Sequence, residues 1–432
     1  MKIRLLSALF LAISASASAQ QAANRPTVVA GFPVNYNEDS VGTYTLPELL
    51  KTADGKPVTT ARQWTEKRRP ELLRLAEENQ FGKMPPKPKD LSFHAFDKGT
   101  PAFNGKAIRK QVTVYFKKDT ADHEMNLLIY LPANATNSAA APLLMNISFA
   151  AYNQIIDDPG LRVGEIWNKE GKKVKADKPT PFGKLNVEQF IDAGIGFATV
   201  YYGDIEPDFK DGLPYGIRKT YLKPGQTEPG ADEWGAIAAW GWGLSRAMDY
   251  FETDKQIDSK RIALQGASRL GKTVLWAGIH DPRFKMVIAS ISGEGGAALA
   301  RRNYGETIRH ISDPSRYLYQ FAPNYHGWAD KVNAMPIDAH MLVALMAPRP
   351  LLLQTGSTDY WSDPKGEFLS AVAAAPVYRL FGETAPAASA TMPAAGDTSL
   401  LMNHLGYYMH EGGHTVLPED WKLFIQYMRK YL

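Results

Sequence analysis

Cysteine is absent from these 432 residues, which excludes disulfides, thiol nucleophiles and cysteine-borne lipid anchors. Charge of one sign is never blocked: 49 basic and 45 acidic side chains are interspersed for a net +4. No nucleic-acid footprint is therefore expected. There is no P-loop, no dinucleotide fingerprint after an early strand, no internal repeat and no linker dividing two cores. His410 and His414 have the spacing of a helical metal pair, but Gly412 and Gly413 between them argue against a helix, so neither metal nor cofactor is expected. The apolar run over 5–13 is too short to span a bilayer.

What is present is an ordinary globular composition, 44% hydrophobic and 22% charged. The N-terminus reads as a secretory signal. Lys2 and Arg4 precede the apolar run, and Ala17-Ser18-Ala19 supplies small residues for a cut after Ala19. The expectation is a signal peptide over 1–19 and a single domain over 20–432, exported to the periplasm or beyond, with no membrane anchor and no obligate protein partner.

Apolar periodicity predicts a helix over 60–80, with Trp64 and Leu72 among its buried positions. Strand patterns follow at 111–116, 125–131, 143–147 and 196–202. The segment 157–178, rich in Lys, Asp and Pro, reads as a surface excursion. Further on, elements alternate: helix 235–251, strand 261–265, helix 273–279, strand 286–290, strand 350–354, a loop over 383–395 and a closing helix 421–431. Alternation of apolar strands with helices predicts an α/β fold, a three-layer sandwich around a mostly parallel sheet.

The strand at 261–265 runs into Gly266-Ala267-Ser268-Arg269-Leu270-Gly271-Lys272 and then a helix. A nucleophilic serine needs this setting, a sharp strand-to-helix turn with glycines that let the backbone close up. The alternative, a serine N-cap on a core helix, remains open at this level. Arg269 stands where its N–H and guanidinium address an oxyanion, and Lys272 rises one turn later on the same face. Two cations at a serine suit an anionic or hydroxyl-rich substrate. An α/β-hydrolase places its acid after a late strand and its histidine later still. Asp359 follows strand 350–354 at the expected distance, while Asp363, ahead of Pro364, suits a helix cap. Of nine histidines, His404, His410 and His414 fall in the right region, and His414, after two glycines, is the expected base.

These residues resemble the bacterial branch of the glucuronoyl esterases. The similarity is carried by Gly230-Ala231-Asp232-Glu233-Trp234-Gly235, by Ser268-Arg269-Leu270-Gly271-Lys272, by Arg301-Arg302-Asn303-Tyr304-Gly305-Glu306 and by Asp359-Tyr360-Trp361-Ser362-Asp363-Pro364. Glu411-Gly412-Gly413-His414 ahead of Asp420-Trp421, Tyr202-Gly203-Asp204 with Pro207-Asp208, and Trp64 with Arg68-Arg69 extend it. The resemblance implies hydrolysis of esters joining glucuronic acid on xylan to lignin alcohols, on glucuronoxylan or a lignin–carbohydrate ester. It implies Ser268 as nucleophile, Arg269 at the oxyanion, and Lys272, Glu306 and Trp361 on the sugar. Two rivals stand beside it: a carbohydrate esterase of another specificity, such as an acetyl xylan esterase, and a carbohydrate-binding protein on a hydrolase scaffold without chemistry. The chain departs from the family pattern in three places. Ala267 stands where members often have cysteine, and Ile291 where some carry the triad glutamate, with Glu294 a possible substitute. Asn146-Ile147-Ser148-Phe149 replaces a more glycine-rich loop.

Overall fold

A computed structural model describes residues 25–118 and 123–432; the signal peptide expected over 1–19 lies outside them. Nine strands form one sheet: β1 Ser92–Ala102, β2 Ala107–Tyr115, β3 Glu124–Pro132, β4 Ala141–Ser148, β5 Gly196–Tyr201, β6 Ile257–Ala267, β7 Met286–Ser290, β8 Leu351–Gly356 and β9 Leu405–His410. Their spatial order is β9-β8-β7-β6-β4-β5-β3-β2-β1. From β5 to β9 across the sheet all pairings are parallel, whereas β1, β2 and β3 join by antiparallel pairing at one side.

The parallel strands read as unbroken apolar runs because both of their faces are covered. Strand alternation sorts the side chains between two cores. Leu143, Met145, Leu264, Val287 and Leu353 pack on one face; Leu144, Ala263, Ile288 and Leu352 pack on the other. The first core also holds helices α1 Arg69–Ala76, α2 Ala236–Phe251, α3 Arg269–His280, α4 Ala339–Leu345 and α5 Pro364–Leu380. The second holds the closing helix α6 Pro418–Tyr431, through Phe424, Tyr427 and Met428. This is the three-layer α/β sandwich that the alternation predicts.

Several bounds differ from the sequence reading. Strand β6 runs four residues earlier and two later than 261–265. Helix α3 starts at Arg269, not Thr273, because Gly271 lets its first turn press on β7: a Cβ there would stand 2.6 Å from the Ser290 carbonyl oxygen. The helix expected over 60–80 spans Ala61–Phe81 with π-turns at Trp64–Arg68 and Glu77–Phe81 on either side of α1. Thr60 and Gln63 cap it reciprocally. Strand β1 escapes the period-2 reading because Gly99 and Pro101 interrupt it. The 157–178 excursion is mostly loop, with a short ribbon pairing Glu165–Trp167 to Lys173–Lys175.

Candidate active site

Ser268 joins β6 to α3 with φ 59° and ψ −129°, a conformation that L side chains adopt only under constraint. Two glycines impose it. A Cβ at Gly266 would lie 2.3 Å from the Leu270 carbonyl oxygen, and Gly271 is pressed on Ser290 as described. The Ser268 N–H donates to the Ser290 oxygen at 2.9 Å, locking the turn onto β7. The serine stands at the N-cap position of α3 yet makes no side-chain cap hydrogen bond. Its side chain instead borders a cavity of about 210 Å³ at the carboxyl ends of the parallel strands, the usual ligand position in such sheets. The helix N-terminus adds partial positive charge there.

The loops after β8 and β9 close over one another. Thr358 N–H donates to Gly412 O at 2.8 Å, and Gly412 N–H donates to Ser357 Oγ at 3.1 Å. A Cβ on Gly356 would lie 2.3 Å from Gly413 O. The close approach thus depends on the strand-end glycine as much as on the pair before the histidine. It brings Asp359 Oδ2 within 2.7 Å of His414 Nδ1, with Ser362 Oγ at 3.1 Å from the same nitrogen. Asp359 is buried; His414 is 43% exposed and borders the cavity.

The other histidines are spent elsewhere. His410 ends β9 with Nδ1 2.8 Å from Asp420 Oδ2 and Nε2 3.2 Å from Gly413 O, anchoring the start of α6. Burial opposes its charge, but Asp420 prevails and its pKa is raised. His404 accompanies Glu383, and its carbonyl receives Leu351 N–H, which puts it at the amino ends of the strands, opposite the cavity. The alternative acids are likewise engaged. Asp363 caps α5 through Gly366 N–H and pairs with Arg302 at 2.8 Å. Glu294 is buried, receives the Tyr325 hydroxyl at 2.8 Å, and is pushed up to about 8 by burial. Ile291 takes part in the cavity wall, with φ 43°.

Arg269, Lys272, Glu306 and Trp361 border the same cavity as Ser268 and His414. Arg269 Nη1 lies 2.6 Å from Asp208 Oδ2. Asp208 also receives the hydroxyls of Tyr202 at 3.0 Å and Tyr319 at 2.7 Å, and Gln320 Nε2 at 2.8 Å. Burial disfavours the Arg269 cation, but Asp208 more than compensates and raises its pKa. Lys272 is buried, and that burial lowers its pKa against the pull of Glu306. Glu306 N–H donates to Trp361 O at 2.8 Å, and its Oε1 accepts from Arg316 Nη2 at 2.8 Å. The Arg316 guanidinium stands 5.2 Å from the Trp361 ring centroid. Asn146, in the segment that departs from the family, lies inside the sheet: it donates to Gln265 at 2.6 Å and accepts from Thr199 at 2.9 Å. The Phe149 ring lies 5.9 Å from the Arg269 guanidinium.

A glucuronoyl esterase from Solibacter usitatus has a solved structure that superposes with a TM-score of 0.85 at 42% identity, covering 91% of this chain and 99% of that one. A promiscuous esterase of carbohydrate esterase family 15, from a marine bacterial metagenome, gives a TM-score of 0.82 at 41% identity over 92% and 100%. The chain belongs to the glucuronoyl esterases of carbohydrate esterase family 15. Within this family, the profile described as fungal glucuronyl esterase matches residues 229–382, which contain the Ser268 turn and the Asp359 loop. A 4-O-methyl-glucuronoyl methylesterase from Schizophyllum commune is 26% identical over 87% of this chain and 82% of its own.

Sequence reasoning missed part of this glucuronoyl esterase's site. Asp208 follows Pro207 in a stretch whose local pattern assigns it no partner. Arg316, Tyr317 and Gln320 border the cavity from an irregular stretch where no periodicity singles them out. Nothing in the acid loop's sequence separates Ser362 from its neighbours. Among the described residues, no group of three or more His, Cys, Asp or Glu side chains is placed to hold a metal ion.

Proposed function

We propose that this protein is a serine esterase that cleaves esters of (4-O-methyl-)glucuronic acid on glucuronoxylan with lignin alcohols. The observation that carries the reading is that Ser268 and His414 border one cavity, while Asp359 lies 2.7 Å from the inner nitrogen of that histidine. Ser268 Oγ attacks the uronate carbonyl and passes its proton to His414 Nε2. Asp359, at Nδ1, fixes the tautomer and offsets the charge that forms. The tetrahedral oxyanion rests on the Arg269 guanidinium and on N–H groups at the start of α3. Collapse expels the alcohol, which takes the proton from His414. A water deprotonated by His414 then attacks the glucuronoyl–Ser268 ester, and as that ester bond breaks His414 returns the proton to Ser268 Oγ and the uronic acid leaves.

Lys272, Glu306 and Trp361 would hold the sugar, the charged pair on hydroxyl or carboxyl oxygens and the indole against a pyranose face. The positively charged start, the apolar run and Ala17-Ser18-Ala19 support export. Among the described residues, no helix is long and apolar enough to cross a membrane.

The deciding experiment compares turnover of methyl or benzyl esters of glucuronic acid with acetylated xylan and aryl acetates. Uronate esters should be preferred, and Ser268→Ala should abolish hydrolysis of all of them. A preference for acetyl groups would replace this reading with that of a deacetylase. Lys272→Met should depress uronate esters more than aryl acetates; equal losses would remove the lysine from the sugar site.

A further inference from the structure

A second cavity, of about 500 Å³, is bordered by Trp167, Tyr215, Lys117, Lys173, Lys219 and Asp204. The sheet register places it. Gln265 of β6 lies beside Asn146 of β4, Asn146 beside Thr199 of β5, and Thr199 beside Leu128 of β3. Ser268 follows Gln265 at the carboxyl end of β6. Glu124, another wall residue, precedes Leu128 on the antiparallel β3 and therefore stands at the same edge. Three strand spacings separate the two lines, roughly 15 Å. Both cavities open on one rim, at a spacing that a short oligosaccharide spans.

The walls have the chemistry of an acidic glycan site. Trp167 is fixed by two hydrogen bonds, Nε1–H to Gly203 O at 2.9 Å and its backbone N–H to Tyr201 Oη at 3.2 Å. Its ring centroid lies 5.4 Å from that of Tyr215 and 5.6 Å from that of Phe209. Tyr215 is 55% exposed although it is a large aromatic. Fixed, half-open rings suit the apolar faces of pyranoses. Lys173 and Lys219 are exposed, and among the described residues neither forms an ion pair. Lys173 Nζ stands 5.6 Å from the Trp167 ring. Of the two acids in the wall, Asp204 accepts from the Asn126 backbone and side chain and feels the charge of Lys173, so Asp204 and Glu124 together set two carboxylates against three lysines.

We propose that this cavity binds a uronate-bearing segment of the glycan chain, apart from the ester being cleaved, with lysines on its carboxylate and Trp167 and Tyr215 against its rings. It rests on the esterase reading above and adds to it a second contact on the same polysaccharide.

The test uses Lys173→Ala/Lys219→Ala and Tyr215→Ala in the full chain. Two substrates are compared, the methyl ester of free glucuronic acid and an esterified glucuronoxylan oligosaccharide with a further free uronate. Each variant should lower kcat/KM on the oligosaccharide about fivefold to tenfold, the scale of lost charge-assisted contacts, and leave the small ester within about twofold. Unchanged oligosaccharide kinetics, or equal losses on both substrates, would overturn the proposal. Titration calorimetry with unesterified oligosaccharides keeps the test independent of turnover. Uronate-bearing chains should bind the wild type more tightly than neutral xylo-oligosaccharides of equal length, and the lysine variant should lose that difference. Equal affinity of neutral and acidic chains would also overturn it. Failure to hydrolyse any glucuronate ester would instead count against the esterase reading alone.

Discussion

Arg269 and Asp208, 61 positions apart in sequence, meet at 2.6 Å beside the constrained turn of Ser268. Asp208 is almost fully buried and gathers four donors, so the guanidinium is held where it is rather than left to rotate in solvent. Preorganised donors stabilise an oxyanion because they need not reorient as charge develops.

Asp208→Asn keeps the shape and removes the charge that fixes Arg269. We expect kcat on glucuronate esters to fall about 10-fold to 100-fold with a much smaller change in KM. Asp208→Glu should recover part of the loss. Steady-state kinetics decide: a higher KM at unchanged kcat would mean that Asp208 serves ground-state binding instead.

The turn at Ser268 carries positive φ on a residue with a Cβ. Ser268→Gly and Ser268→Ala should both be inactive, but the glycine variant should be the more stable by about 1 kcal/mol, because only it relieves the backbone. Urea denaturation of the two variants checks this. Equal stabilities would show that the turn holds no strain that glycine can release.

Asp359→Asn should lower kcat by about 10⁴-fold, since the amide no longer favours the productive tautomer of His414. Glu294→Gln, at the carboxylate bonded to Tyr325, should stay within a few-fold of wild type. A severe loss of kcat in Glu294→Gln beside a mild one in Asp359→Asn would reverse the assignment of the acid.

Glu294 also bears on stability. Burial pushes its pKa up to about 8, against 4.5 when free, so between those values the folded state holds a proton that the unfolded chain releases. This contribution is fully present below about pH 4.5 and is lost as pH rises towards 8. Glu294→Gln cannot titrate, and its unfolding free energy should fall less than that of wild type between pH 5 and pH 8. Parallel pH profiles would remove Glu294 as a source of the dependence.

Much of this protein was legible in one dimension because its physics is local. Apolar runs flanked by helical periods dictate parallel strands covered on both faces. The glycines around Ser268 dictate a turn that no bulkier residue permits. The chain order of serine, acid and histidine narrows the candidates for each role. Periodicity could not separate His404, His410 and His414, nor assign partners to Asp208 and Arg316. Those outcomes depend on which strand lies beside which and on how far each loop overhangs the rim. His404 falls at the amino ends of the strands, His410 is claimed by Asp420, and His414 is left beside Asp359, distinctions that no local pattern encodes. Local patterning specifies the layers, the glycines flanking Ser268 and the residue types at the rim, while the strained backbone of Ser268 itself appears only in the folded chain. Which side chains meet follows from the closed fold, because hydrogen bonds of under 3 Å between distant residues exist only once the sheet and its crossing loops have come together.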